Sequence, residues 1–250
     1  MASGAAIIEA AEEVIAKGRK AAAHVLEAAE ADIEFVIDPD RGGRFVIAGT
    51  DRAITVLELA RRLRESRDLP EGVPASLDVR HVHKGAPSAF PNGCHVCEVE
   101  IDPETGVVRI DRYVAVNDFG TVVNPLLVEG QVHGGVVQGI GQALFEEMRY
   151  DENGQPLTGS FLDYAMPRAD RIVSFVTSFH PVPARTNLLG AKGCGEAGCA
   201  GALPAVMNAV VDALRRHGIR HLDMPASPER VWRALQDAAG QKGAGAAGGL

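Results

Sequence analysis

Gly130-Gln131-Val132-His133-Gly134-Gly135-Val136-Val137-Gln138-Gly139-Ile140-Gly141-Gln142-Ala143-Leu144 joins helical apolar spacing to five glycines. Each glycine inside a helix costs about 1 kcal/mol relative to Ala, so roughly 5 kcal/mol must be offset by tertiary contact. Just upstream, Asn124-Pro125 supplies a cap and an N1 proline, which predicts a helix from there to about Met148. Gln131 and Gln138 lie two turns apart and share a face. Their amides carry donors and acceptors together, which suits the mixed edge of a heterocycle such as a pterin. A tight glycine-mediated contact of the helix with a strand, leaving the glutamines solvated, is the alternative at this point.

A second glycine-rich segment, Gly190-Ala191-Lys192-Gly193-Cys194-Gly195-Glu196-Ala197-Gly198-Cys199-Ala200-Gly201, runs into a predicted helix that Pro204 opens. Glycine-rich backbone ahead of a helix start can aim several N–H groups at an anion, and Lys192 would add a charge. Glu196 is the single acidic residue between Asp170 and Asp212. A carboxylate held there can act as a general base if burial raises its proton affinity. An exposed acid in a loop near a helix start is the competing interpretation.

Outward from these segments, apolar residues from Ala5 to about Glu30 recur at helical spacing, with Glu13 and Lys17 as an i,i+4 pair on the outer side. Ile33–Ile37 and Arg44–Ile47 flank Pro39, Gly42 and Gly43 and predict a hairpin, and Thr55-x-x-Glu58 predicts a capped short helix. Residues 67–93 are rich in Pro and Gly and mark a subdomain boundary, with a strand expected at Asp78–His83. Cys94–Asp102 and Val107–Val116 alternate and predict a second hairpin, and Ile172–Ser178 a further strand. Residues 1–236 form the folded region and 237–250 a disordered tail.

The composition narrows the function classes. A net charge of −8 without a basic block argues against nucleic acid, and no apolar run approaches the ~20 residues of a membrane span. A cytoplasmic protein is expected. Four cysteines in 250 residues are too few for a disulfide framework. Cys94-x-x-Cys97 and the Cys194 and Cys199 pair, with His81, His83 and His95, suggest zinc as a rival. Strand alternation places Cys94 and Cys97 on opposite faces, which disfavours a shared metal.

The motifs at 130–144 and 192–198, with Ser227-Pro228-Glu229-Arg230-Val231-Trp232, resemble the large subunits of the xanthine oxidase and aldehyde oxidase family of molybdenum hydroxylases, over about Gly4 to Leu235. The resemblance implies an α+β fold of mixed helices and hairpins, the C-terminal molybdopterin-binding region of that large subunit. It implies Glu196 as the catalytic base and Gln131 as the glutamine beside the pterin dithiolene, which itself holds the molybdenum without a protein ligand. Lys192, Gly193, Cys194 and Gly195 match the loop around the cofactor, and Gly134 and Gly135 are expected to admit its close approach. Asp118, Gly120 and Asn124 match a loop near the dinucleotide end, although Asn117 and Phe119 depart from the family pattern.

The implied reaction is oxidative hydroxylation of an aldehyde or an N-heterocycle with water as the oxygen source. The implied cofactor is molybdenum–molybdopterin, the cytosine dinucleotide form being one option. The implied partners are an N-terminal molybdopterin-binding fragment of the large subunit, a [2Fe-2S] subunit and an FAD subunit. Such large subunits are far longer than this chain, so most substrate-gripping residues are expected in the missing portion. A noncatalytic assembly subunit of the same fold is the remaining alternative.

Overall fold

A computed structural model of the chain describes residues 1–66, 68–85 and 87–247. The chain divides into two compact units, residues 1–87 with 187–189 and residues 88–186 with 190–250. The division falls within the Pro/Gly-rich stretch at 67–93.

The first unit holds helix α1 (Ala2–Leu26), strands β1 (Ile33–Asp38), β2 (Gly42–Ile47) and β3 (Ala53–Thr55), and helix α2 (Val56–Glu65). The strands form an antiparallel sheet in the order β1-β2-β3. Its core joins Ala21, Ala22, Ile33, Phe45, Ile54, Leu59, Leu63 and Leu77. Gly18 lets α1 lie directly on the Phe45 ring, since a Cβ there would fall 2.0 Å from Cζ. Thr55 caps α2 by accepting from the Glu58 amide at 3.2 Å. Two expectations fail in this unit. Asp78–His83 forms no strand, and the Glu13–Lys17 pair is replaced by contacts of both side chains with that segment. A single extended segment with no paired neighbour has no ladder to join, whereas α1 offers it charged partners.

The second unit holds β4 (Asn92–Ile101), β5 (Val108–Asp118), α3 (Pro125–Leu144), β6 (Phe175–Phe179), α4 (Ala197–Arg215) and α5 (Pro228–Ala247). β4 and β5 make the expected antiparallel hairpin, and β6 adds in parallel to β5. β6 begins at Phe175, three residues later than predicted, where its pairing with Tyr113 of β5 starts. Tyr113, Val132, Val136, Ile140, Val206, Val210, Leu214 and Val231 fill the core between sheet and helices. The helix α5 continues through residues 237–247, where the sequence suggests a disordered tail, and 248–250 lie outside the described residues. Alanines and long polar residues interspersed among its glycines are good helix formers, which accounts for the continuation.

α4 departs from expectation twice. It begins at Ala197 and carries Pro204 in its interior, because the small residues 197–203 already turn helically before the proline. It is also long and apolar enough, by length and composition alone, to cross a membrane, contrary to the estimate that no such run exists. Ala202, Val206, Val210 and Leu214 on its inner face are instead buried in the core of the second unit.

Candidate functional site

The two glycine-rich segments meet in space. Gln131, in the second turn of α3, donates from Nε2 to the Gly195 carbonyl at 2.9 Å. That bond ties the loop 193–196 to α3 and places Glu196, the residue before the first turn of α4, beside it. Glu196 is exposed, and among the described residues no side chain caps the start of α4. An uncapped helix start offers backbone donors and a positive dipole end to an anionic group.

The glycines sort into two sets. A Cβ built on Gly130, Gly134, Gly193 or Gly195 would meet nothing within 4 Å. These positions border open space around the Gln131–Gly195 bond. Gly135, Gly139 and Gly198 do the opposite. A Cβ on Gly198 would lie 2.6 Å from the Val132 carbonyl oxygen, and one on Gly135 would lie 3.0 Å from the Cys199 nitrogen. The backbones of α3 and α4 therefore touch directly, which answers how the glycine cost in α3 is offset. The tight partner is a helix and not a strand. Gly135, expected to line the cofactor, instead serves helix packing.

The two sets make opposite predictions. Gly134→Ala is expected to stabilise the chain by up to about 1 kcal/mol through helix propensity, since the added methyl meets nothing. Gly198→Ala is expected to destabilise it by about 1–3 kcal/mol, because backbone must move. Denaturant unfolding of the two variants beside wild type measures both. A stabilised Gly198 variant would contradict the packing assignment.

Lys192 does not point its charge at an open anion site as predicted. Its ammonium pairs with Asp118, both side chains being about nine-tenths buried. Asp118 Oδ1 also accepts from the amides of Gly120 and Val182, each at 2.9 Å. Burial opposes the Asp118 charge, but the bonds from Lys192 and these two amides outweigh it and hold the carboxyl well below its ordinary range. Gly120 adopts φ +62°, and a Cβ there would sit 2.1 Å from the Gly190 carbonyl oxygen. Thr121 donates to that same carbonyl and Lys192 to the Phe119 carbonyl, so this crossing fixes the loop carrying Gly193 and Glu196. Asn124 is the α3 cap, its Oδ1 accepting from the Leu127 amide at 3.1 Å. Asp118, Gly120 and Asn124 thus have structural tasks here, and Asp118 and Gly120 act by positioning the loop. Cys194 is half-buried against the core.

Cys97 faces inward and Cys94 outward on β4, so the two thiols cannot share one metal. Burial pushes the Cys97 thiol up to about 11, which keeps it protonated near neutrality. The sequence reading missed a polar group beside α4. His95 Nδ1 lies 2.8 Å from the Tyr113 hydroxyl and Nε2 3.2 Å from Asn117 Oδ1, while Gly201 makes room for the ring. The inward parity of Tyr113, Ala115 and Asn117 on β5 was the available signal.

An open glycine-lined space, an amide able to meet a mixed heterocyclic edge and an uncapped helix start fit a bound pterin phosphate group. A family model described as molybdopterin cofactor-binding domain matches residues 1–173. The carbon monoxide dehydrogenase large chain of Hydrogenophaga pseudoflava is 35% identical over 94% of this chain and 28% of its own length. The nicotine 6-hydroxylase large subunit of Paenarthrobacter nicotinovorans is 38% identical over 86% and 26% respectively. A solved CO dehydrogenase from Oligotropha carboxidovorans superposes with a TM-score of 0.83 at 35% identity, covering 94% of this chain and 29% of that one. Quinoline 2-oxidoreductase from Pseudomonas putida 86 gives a TM-score of 0.75 at 34% identity, over 89% and 28%.

The family match and the fold define a molybdopterin cofactor-binding domain. The chain belongs to the molybdenum-binding large subunits of the xanthine oxidase family, and it spans under a third of the length of the relatives it matches.

Proposed function

We propose that the chain forms one wall of the molybdenum–molybdopterin site of an oxidative hydroxylase, with Glu196 as the general base. The observation that carries this is the joining of Gln131 to the loop 193–196 beside glycines that leave open space. Gln131 would meet the pterin, and Gly193 and Gly195 would let it approach the backbone. When bound, the cofactor supplies a Lewis-acidic, redox-active centre that accepts two electrons. Glu196 takes the proton from the attacking oxygen as that oxygen bonds to substrate carbon, and the hydrogen displaced from that carbon leaves with the two electrons that the bound centre would accept. The Lys192–Asp118 pair keeps the loop backbone, and with it the base, in place.

N-heterocycles are the favoured substrate class, since nicotine and quinoline name the substrates of two relatives. Oxidation of carbon monoxide is the second reading, supported by the extent of the match to carbon monoxide dehydrogenase. Electrons would leave through a [2Fe-2S] partner and then FAD, and the rest of the large subunit would close the site. The test is turnover of a quinoline-type heterocycle in ¹⁸O-water by the chain assembled with those partners. One ¹⁸O per hydroxylated product is expected, and a product carrying unlabelled oxygen instead would overturn the reading.

A further inference from the structure

Residues 78–83 form neither helix nor strand, yet polar side chains hold them against α1. Lys17 Nζ donates to the Asp78 carbonyl at 2.6 Å. One turn back, His81 reaches two carboxylates at once, with Nδ1 2.6 Å from Glu13 Oε1 and Nε2 2.7 Å from Glu9 Oε2. His83 adds Nδ1 at 2.8 Å from the same Glu9 oxygen. Leu77, just upstream, is buried in the core of the first unit, so the strap starts from a fixed anchor.

A neutral imidazole has one N–H and one lone pair. Only one of the two His81 contacts could then be a hydrogen bond, and the other would set a lone pair against a carboxylate oxygen. Both are satisfied when the ring is an imidazolium. The facing groups are Glu9, Glu13 and Lys17 from α1 and His83 from the strap itself. The two carboxylates outnumber the nearby ammonium, and that ammonium is occupied with the Asp78 carbonyl.

We propose that His81 is a proton-operated latch that fastens the strap 78–83 to α1 while the ring is charged and releases it when the ring loses its proton. The bonds to Glu13 and then Glu9 raise the proton affinity of His81, against a smaller opposing effect of burial. A raised histidine gives stability that is fully present below its unfolded value, about 6.5, and is lost as pH rises through the folded value. Glu9 is lowered, chiefly by its bond to His83, so its contribution disappears instead as pH falls through its folded value. The latch is therefore closed in mild acid, where the ring is charged, and opens as pH rises through the folded value of His81.

Arg80 on the strap and Lys84 just after it are exposed and make its opening readable by trypsin. The full chain is digested at pH 6.0 to 8.5, and cleavage after Arg80 and Lys84 is normalised to a short unstructured reference peptide in the same tube. In wild type the normalised rate is expected to rise at least tenfold across this range. His81→Gln, which cannot carry the charge, is expected to be fast at pH 6.0 and flat with pH. Glu13→Gln is expected to move the wild-type transition to lower pH. A flat wild-type profile, or a His81→Gln profile that keeps the rise, would overturn the latch. Protection at pH 8.5 that appears only on adding zinc would assign these side chains to a metal and overturn it as well.

Discussion

Glu196→Gln is expected to lower turnover by about 10²–10⁴-fold while leaving cofactor content nearly unchanged. Glutamine keeps the length and hydrogen-bonding reach of the side chain and removes the basic oxygen. Glu196 is exposed and makes no side-chain cap on α4, so its loss deprives the fold of little. The relevant quantity is the single-turnover rate of metal reduction by substrate in the assembled enzyme, with wild type and variant matched for molybdenum loading. Equal rates would remove Glu196 from the chemistry. A deficit explained wholly by missing cofactor would assign it to structure.

The other large effect is expected at Lys192→Met. The substitution keeps the apolar stem but leaves Asp118 as a buried carboxylate with only the Gly120 and Val182 amides to stabilise it. Breaking one side of a buried pair costs about 3–5 kcal/mol, and the lower end applies here because both side chains keep slight solvent contact. Its pH dependence has a definite sign. The lowered carboxyl of Asp118 stabilises wild type above its unfolded value, about 3.9, and that contribution is lost as pH falls through the folded value. In the variant the orphaned carboxylate takes up a proton at higher pH, which relieves the penalty. Urea unfolding at pH 7 and pH 4 should therefore show the gap between wild type and variant narrowing with acid. A gap that widens would contradict the assignment. The crossing of residues 119–121 with 190–192 depends on this pair, so the variant should also lose cofactor even where it folds.

Much of this arrangement is legible in the residues because local rules and tertiary packing agree. Asn124-Pro125 opens α3, Thr55 caps α2 and the alternation at 92–118 gives a hairpin, each element following from chemistry within a few residues. The start of α4 is not legible that way. Proline marks a helix start by propensity, but Gly198 and Gly201 become helical because α3 and the His95 ring press on them. That contact spans tens of residues in sequence. The same limit applies to Lys192 and Asp118. Each looks like a free charge beside a ligand until a fold joins residues 74 apart. At the candidate site, the Gln131 and Glu196 segments stand out by composition, while the division of the glycines into packing and open sets needs coordinates.

The central claim is that this chain holds molybdenum and pterin together with the rest of a large subunit. It is tested most directly by metal and pterin analysis of the complex purified from its native host. About one molybdenum and one molybdopterin per chain are expected in that complex, with little of either retained by the chain purified alone. A complex carrying zinc in place of molybdenum, or neither metal nor pterin, would contradict the claim.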